Sequence, residues 1–482
     1  LTLASGIVLF GLGNWVWLVL DALPLAIGMF IDQSALLLDN PTQLNYGIAV
    51  TDIDGDGAFE LIVAGFGERN LVLQWQGHGF VDIADATLAD DGRQAIGVAA
   101  GDLDGDGREE LYVLNTDRFA GRKRFADRLF DWQDGWRDLF ALPQNQDALN
   151  LTAGRSVAWV DRFGIGRYGC LVANYGGPIR LYEINSDGML ADVAPEAGLS
   201  FVTGGRGVVA LPLVSERMDI FMANENGANF LFRNQGNGTF VDIATMAGVS
   251  DPYEHGRGIA VLDANSDGRF DLVYGNWEGP HRLYLQLEPG KFRDAAPAAL
   301  AMPSRIRTVI AADFDNDGYE ELFFNNIGQP NRLFGWRDSK WTAIDIGAAL
   351  EPRGLGTGAA VGDFDNDGRL ELVIAHGESA AQPLSLYHTV ANTNYWLRVL
   401  PLTAQGAPAR GAVVTLVAAG RVQMRTIDAG SGYLCQMEPV AHFGLGANPA
   451  IDFVEVRWLD GRSSKMIAPQ PNQLLRVAYP QR

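Results

Sequence analysis

Asp52-Ile-Asp54-Gly-Asp56-Gly-Ala58-Phe-Glu60 decides how this chain folds, because four near copies of it follow. They are Asp102-Leu-Asp104-Gly-Asp106-Gly-Arg108-Glu-Glu110, Asp263-Ala-Asn265-Ser-Asp267-Gly-Arg269-Phe-Asp271, Asp313-Phe-Asp315-Asn-Asp317-Gly-Tyr319-Glu-Glu321 and Asp363-Phe-Asp365-Asn-Asp367-Gly-Arg369-Leu-Glu371. Oxygen-bearing side chains at the first, third and fifth places, a glycine at the sixth and a carboxylate at the ninth are what a hard cation needs from a tight turn. The backbone carbonyl of the seventh place (Ala58, Arg108, Arg269, Tyr319, Arg369) supplies a further oxygen. The pattern predicts up to five Ca²⁺ ions.

The first aspartates stand at 52, 102, 263, 313 and 363, so neighbouring loops recur every 50 residues. The interval between 102 and 263 holds two more units, Val160-Asp161 to Gly169 and Val208 to Asp219, which have lost most of their ligands. Periods in this range belong to solenoids or propellers. Each unit reads as four short strands. A small-residue strand (Gly97-Val-Ala-Ala-Gly-Asp102) enters the acidic loop, and a second (Glu110-Leu-Tyr-Val-Leu) leaves it. A third follows (Arg282-Leu-Tyr-Leu), and a turn leads to a fourth (Phe240-Val-Asp-Ile-Ala). That is one propeller blade, with Gly and Ala innermost where backbones crowd. Phe30-Ile-Asp32 lies 50 residues before Phe80-Val-Asp82, in phase with the repeat. It is expected to complete the seventh blade and leave no open sheet edge there. The fold class is therefore all-β: a seven-bladed β-propeller over 29–390 with calcium-binding hairpin loops, then a small C-terminal β-rich domain over 391–482. Strand candidates in the latter are Tyr395–Leu400, Gly411–Val417, Gln423–Ile427, Phe453–Trp458 and Leu474–Val477, packed firmly on blade seven.

Composition narrows the function. A net charge of −21 argues against nucleic acid, and two cysteines, Cys170 and Cys435, make no disulfide scaffold. The first 28 residues are apolar, with no charge from Ser5 to Leu20 and then Asp21 and Pro24 as interruptions. They read as a membrane anchor, a targeting remnant or a segment packed on the propeller, with membrane association possible through residues 5–31. The six histidines show no metal-ligand spacing, and no nucleophile elbow, phosphate loop or His-Glu-x-x-His pair occurs. The chain is read as non-enzymatic and extracytoplasmic.

On the face opposite the acidic loops, Arg155, Arg206, Arg257 and Arg307 recur five or six residues before each loop start. They form either an anion-binding mouth on the axis or bridges between blades that satisfy carbonyls. Tyr175 and Trp277, large aromatics in loops of the same face, are the candidates for a partner hot spot.

Across 42–390 the units resemble the FG-GAP/VCBS repeats of integrin-α-like propellers. Tyr395-Trp-Leu-Arg-Val, Gly430-Ser-Gly-Tyr-Leu, His442-Phe-Gly-Leu-Gly446, Val454-Glu-Val-Arg-Trp458, Asp460-Gly461 and Pro471-Asn-Gln-Leu-Leu475 resemble the ASPIC/UnbV domain. The combination is similar to the CRTAC/ASPIC (cartilage acidic protein-like) family, which implies calcium in the five loops. The family's Phe-x-Asp-Val-Thr start is only roughly kept at Phe30-Ile-Asp32, and its Ser before Gln is Cys435 here. The leading functional reading is a calcium-stabilised protein- or glycan-binding module of adhesion or scaffold type. The alternatives are a constitutive subunit of a membrane-associated complex and a hydrolase using the axial pocket.

Overall fold

The computed structural model describes residues 28–430 and 432–481. Most of the apolar N-terminal stretch, and with it the reading of residues 5–31 as a membrane segment, lies outside the described residues. Its last residues are strand: Phe30 and Ile31 pair with Thr389 and His388. Among the described residues no helix is long and apolar enough to cross a membrane.

The described residues from Phe30 to Thr389 form seven four-stranded antiparallel units in propeller-like succession. Unit one comprises Asn45–Thr51, Glu60–Gly65, Leu71–Trp75 and Phe80–Asp82, and units two to six repeat that order. In unit seven the strands Gly356–Gly362, Glu371–His376 and Ser385–Thr389 are completed by Phe30–Asp32. Units three and four are also joined, because Gly169–Pro178 runs on to pair with Val202–Leu211.

Alternation turns one side of each strand toward each neighbouring unit, so the core lies between units. Ile48, Leu61, Val63 and Leu73 of unit one share a cluster with Val373, Ala375 and Leu386 of unit seven. The Thr357 hydroxyl of unit seven donates to the Asn45 carbonyl of unit one at 2.7 Å. Inner strands approach closely, as the sequence predicts. A Cβ on Gly258 would lie 2.5 Å from the Val309 nitrogen of the next unit.

The C-terminal strands make two sheets, one ordered Ala441–Gly446, Tyr395–Pro401, Leu474–Val477, the other Arg421–Thr426, Val413–Ala418, Ile451–Arg457, Ser463–Ile467. Leu397, Val399, Val414, Leu416, Phe443, Val454 and Trp458 fill the space between them. They do not rest on unit seven alone. Arg476 reaches the Gly57 carbonyl, Arg410 pairs with Glu109 at 2.5 Å, Arg421 donates to the Asp317 carbonyl at 3.2 Å, and Arg398 pairs with Asp363 at 3.0 Å. The C-terminal strands thus cover the acidic-loop face.

From those sheets residues 428–438 project as a finger between the inner strands. Trp159 N–H donates to the Ala429 carbonyl (2.7 Å), Val208 N–H to Gly432 (3.0 Å) and Ile48 N–H to Leu434 (3.1 Å). Gln436 exchanges two hydrogen bonds with the Ala100 backbone, Thr308 donates to the Tyr433 carbonyl, and Glu438 N–H reaches the Val361 carbonyl. Gly432 packs against Ile259. All seven inner strands are touched by one short segment, and Cys435–Gln436 pairs as a strand with Ile48–Ala49.

Candidate functional site: the acidic loops and the arginine end

In the first loop Asp52 accepts from Gly55 N–H (2.7 Å) and Gly57 N–H (2.9 Å), Asp54 from Asp56 N–H (3.1 Å), Asp56 from Ala58 N–H (2.7 Å), and Glu60 from Ile53 N–H (2.9 Å). Loops at 102, 313 and 363 repeat the turn, with Gly107, Gly318 and Gly368 donating to the first aspartate. Backbone donors thereby use some carboxylate oxygens and hold the others toward one point. Asp52, Asp54 and Glu60 bring ligand atoms within 4.8 Å of one another, as do Asp102, Asp104 and Glu110, and Asp313, Asp315 and Glu321. A fourth group contains Asp365, Asp367, Glu371 and His388. Asp313 Oδ1 and Asp363 Oδ1 are buried without a hydrogen-bond donor, an unfavourable state that a cation relieves.

Electrostatics agree. Burial, followed by the neighbouring carboxylates, pushes Glu60 and Glu371 up to about 8 and Asp102 up to about 7. The buried Asp313 and Glu321 carboxyls are likewise raised by burial and by Asp315 and Asp317. Groups that resist ionisation this strongly are short of positive charge. In loop six Arg337 supplies some, lying 2.6 Å from Asp315, 3.1 Å from Asp317 and 2.9 Å from Glu321.

The loop at 263–271 differs. Its third place is an amide: Asn265 donates to Asp267 at 2.9 Å, and Arg269 pairs with Asp267. Asp271, pushed up to about 7 mainly by burial, accepts from Ala264 N–H, as Glu60 does from Ile53 N–H, and also from Gln286 N–H. Fifth-place Asp106 and Asp317 likewise hold the turn, accepting from Arg108 and Tyr319 N–H at 2.8 Å each. Arg369 turns onto Asp367. In the degenerate units, backbone N–H groups occupy the surviving carboxylates: Gly164 and Gly166 donate to Asp161, and Val214 and Ser215 to Asp219.

At the opposite end the four arginines converge on Tyr433 at the finger tip. Arg206 lies 3.3 Å from its hydroxyl and, with Arg307, over its ring. Burial alone would raise Tyr433, but Arg206, Arg307, Arg155 and Arg257 hold it below the usual tyrosine value. Glu225 pairs with Arg206 and Arg257, and Glu378 with Arg307. Against a burial cost, Arg206 and Arg257 bring Glu225 down to about 2. Arg155 donates to the Gly154 and Phe119 carbonyls instead of a carboxylate, and burial and Arg206 lower it to about 10. The guanidiniums stack on aromatics: Arg155 and Arg206 on Phe119 and Tyr175, Arg257 and Arg307 on Trp277. Tyr175 is only 7% exposed, whereas Phe119 is 65% exposed.

Three residues went unrecognised in the sequence. Tyr433 is too distant along the chain to be linked with the arginines. Phe119 sits in a loop without periodicity. His388 belongs to no His motif, yet register places it opposite Glu371, while Gln74 of unit one reaches Glu60 at 3.4 Å. Cys170 and Cys435 are both buried.

Residues 403–482 match the family model described as ASPIC and UnbV, and 52–113, 216–274, 263–324 and 313–374 match the FG-GAP-like repeat. Cartilage acidic protein 1 of Mus musculus is 51% identical over 484 residues, covering 92% of this chain and 75% of the relative. The chain belongs to the cartilage acidic protein 1 family. The Homo sapiens member is 50% identical over 483 residues, covering 92% of this chain and 73% of its own length. As a member of this family the protein is non-enzymatic. Among solved structures, BBS1N in complex with ARL6DN aligns over 76% of this chain and 98% of its own, at 12% identity and TM-score 0.47. The BP39L lectin from Burkholderia pseudomallei aligns over 73% and 100%, at 14% identity and TM-score 0.47. Neither likeness bears on ligand or partner.

Proposed function

We propose that this protein is an extracytoplasmic binding module whose seven units close into a calcium-held propeller over 29–390, with 391–482 as a cap threaded down its axis. Calcium fits the loops at 52–60, 102–110, 313–321 and 363–371, whose oxygen-rich donors suit a hard cation and include the orphaned Asp313 Oδ1 and Asp363 Oδ1. The loop at 263–271 is the weakest of the five. Bound there, the ion would neutralise carboxylates that otherwise repel one another and pin the hairpins. Its role is structural.

The observation that carries the binding reading is the asymmetry of the two faces. The acidic-loop face is covered by the C-terminal strands. The other end presents the arginine–aromatic cluster, with exposed Phe119 against Arg155 and Arg206. Exposed aromatics beside positioned guanidiniums suit a partner bearing carboxylates, either acidic protein side chains or an acidic glycan. The arginines serve both sequence readings: they bridge units through Glu225 and Glu378, and Arg155 has no carboxylate partner among its hydrogen bonds. The test is capture of matrix proteins and of acidic glycans by wild type and by the Phe119→Ala/Trp277→Ala double variant, with calcium uptake measured on both. A loss of capture of about tenfold or more with calcium uptake unchanged is expected. Equal capture by the double variant would remove this face as the partner site.

A further inference from the structure

The geometry points to the seventh loop as a site for a borderline first-row divalent cation of the zinc class, with His388 as its nitrogen ligand. This rests on the reading of the acidic loops as cation sites and goes beyond it by separating one loop from the rest. His388 stands on the strand Ser385–Thr389, directly across the ladder from Glu371. Its Nε2 is 3.0 Å from Glu371, 3.5 Å from Asp367 and 4.0 Å from Asp365.

The other ring nitrogen decides what Nε2 offers. Nδ1 lies 2.9 Å from the Thr389 carbonyl oxygen, which can only accept, so Nδ1 carries the proton. In the neutral ring Nε2 therefore presents a lone pair to the carboxylates. Glu371 Oε1, in a residue 4% exposed, is buried and faces His388 Nε2 at 3.0 Å. Without a metal ion an Nε2 proton fills that position beside Glu371 and Asp367, and a divalent cation would take the proton's place. A backbone carbonyl that fixes the tautomer and aims the second nitrogen is the usual outer support of a metal-bound imidazole.

The equivalent places elsewhere are chemically different. Gln74 faces loop one, where its Nε2 donates to Asp54 at 2.7 Å, and in loop two, beyond burial, Asp131 is among the charges that raise Glu110. In loop six Gly335 takes the place and Arg337 enters the site. Oxygen-only loops suit calcium, while an imidazole added to carboxylates shifts preference toward zinc-class ions. The bound ion would also tie the third strand of unit seven, and Phe30–Asp32 beside it, to the acidic hairpin.

The experiment titrates Zn²⁺ into full-length protein with calcium in excess, for wild type, His388→Gln and Gln74→His. Wild type is expected to take up one tight zinc equivalent, with imidazole scattering in its zinc X-ray absorption spectrum. His388→Gln, which copies loop one, should weaken that equivalent by roughly tenfold or more while the calcium uptake of the oxygen-only loops is kept. Gln74→His should add a second zinc equivalent. Zinc uptake unchanged by His388→Gln, or wild-type zinc lacking imidazole scattering, would overturn the assignment. Absent calcium uptake would overturn the acidic-loop reading instead, so the two failures are separable.

Discussion

Glu60, Asp102, Asp271 and Glu371 each hold a carboxyl where burial opposes its charge, raised to about 8, 7, 7 and 8. A carboxyl whose folded pKa exceeds its unfolded value, near 4, favours the fold while protonated. That contribution is complete below the unfolded value and is lost as pH rises through 7 to 8. His388, where burial is outweighed by Asp367, Glu371 and the Thr389 carbonyl, is raised to about 10. Its contribution is present below about 6.5 and is lost toward 10, so it acts in the same direction. Metal-stripped protein should therefore melt about 5 °C or more higher at pH 6 than at pH 8.5. Saturating calcium should raise both melts and reverse the order, because protonation then competes with the ion. Differential scanning calorimetry with chelator and with calcium checks this, and a chelated melt that rises with pH would contradict it. The carboxylate clusters of the loops at 52, 102, 313 and 363 were legible in the sequence because each hairpin carries its own set within nine residues. Loop 263–271 departs from the others in that Asn265 and Arg269 both bond to Asp267.

At the scale of elements, the strand order of each unit and the pairing of Phe30–Asp32 with unit seven followed from the 50-residue period and from turn chemistry. Local patterns of that kind are repeated and self-contained. The finger was not legible, although Gly430 and Gly432 belong to one of the C-terminal motifs. Its partners Ile48, Trp159 and Val208 lie hundreds of residues away, and an axial segment touching seven strands has no hydrophobic period of its own. Its glycines mark the path. Gly430 has φ +110° and a Cβ there would meet the Val157 carbonyl at 2.5 Å; Gly432 has φ +63° and would meet the Ile259 carbonyl at 2.7 Å. Gly432→Ala should cost about 1–3 kcal/mol. It should also speed hydrogen exchange at the amides of Ile48, Trp159 and Val208, which donate to finger carbonyls. Protection factors measured by NMR would decide this. If those amides exchange as in wild type, the finger is not what holds them.

Over the whole molecule, the propeller-like units and the C-terminal strands share buried charges that neither keeps satisfied alone. Arg410 and Glu109, at 1% and 6% exposure, meet across 2.5 and 2.8 Å contacts, and Thr51 donates to the same carboxylate. Arg398 bridges Asp363 of the seventh loop and Glu438 of the finger. Removing one member of a buried pair typically costs about 3–5 kcal/mol, because the survivor stays buried and uncompensated. A chain of residues 29–390 would strip the partner from both Glu109 and Asp363 and would remove Tyr433 from among four arginines. It would also empty the space between the inner strands. These losses fall on several units at once, so no single unit can relax to absorb them. The 29–390 chain is therefore expected to melt more than about 15 °C below the full chain in calcium, or to lack a cooperative transition. Adding residues 391–482 as a separate chain should recover part of the difference through the two arginine pairs and the finger. A cooperative melt within a few degrees of the full chain would mean that the ring stands by itself and that the finger is an ornament on it. The cost predicted for Gly432→Ala would then also have to be small, which ties the two measurements together.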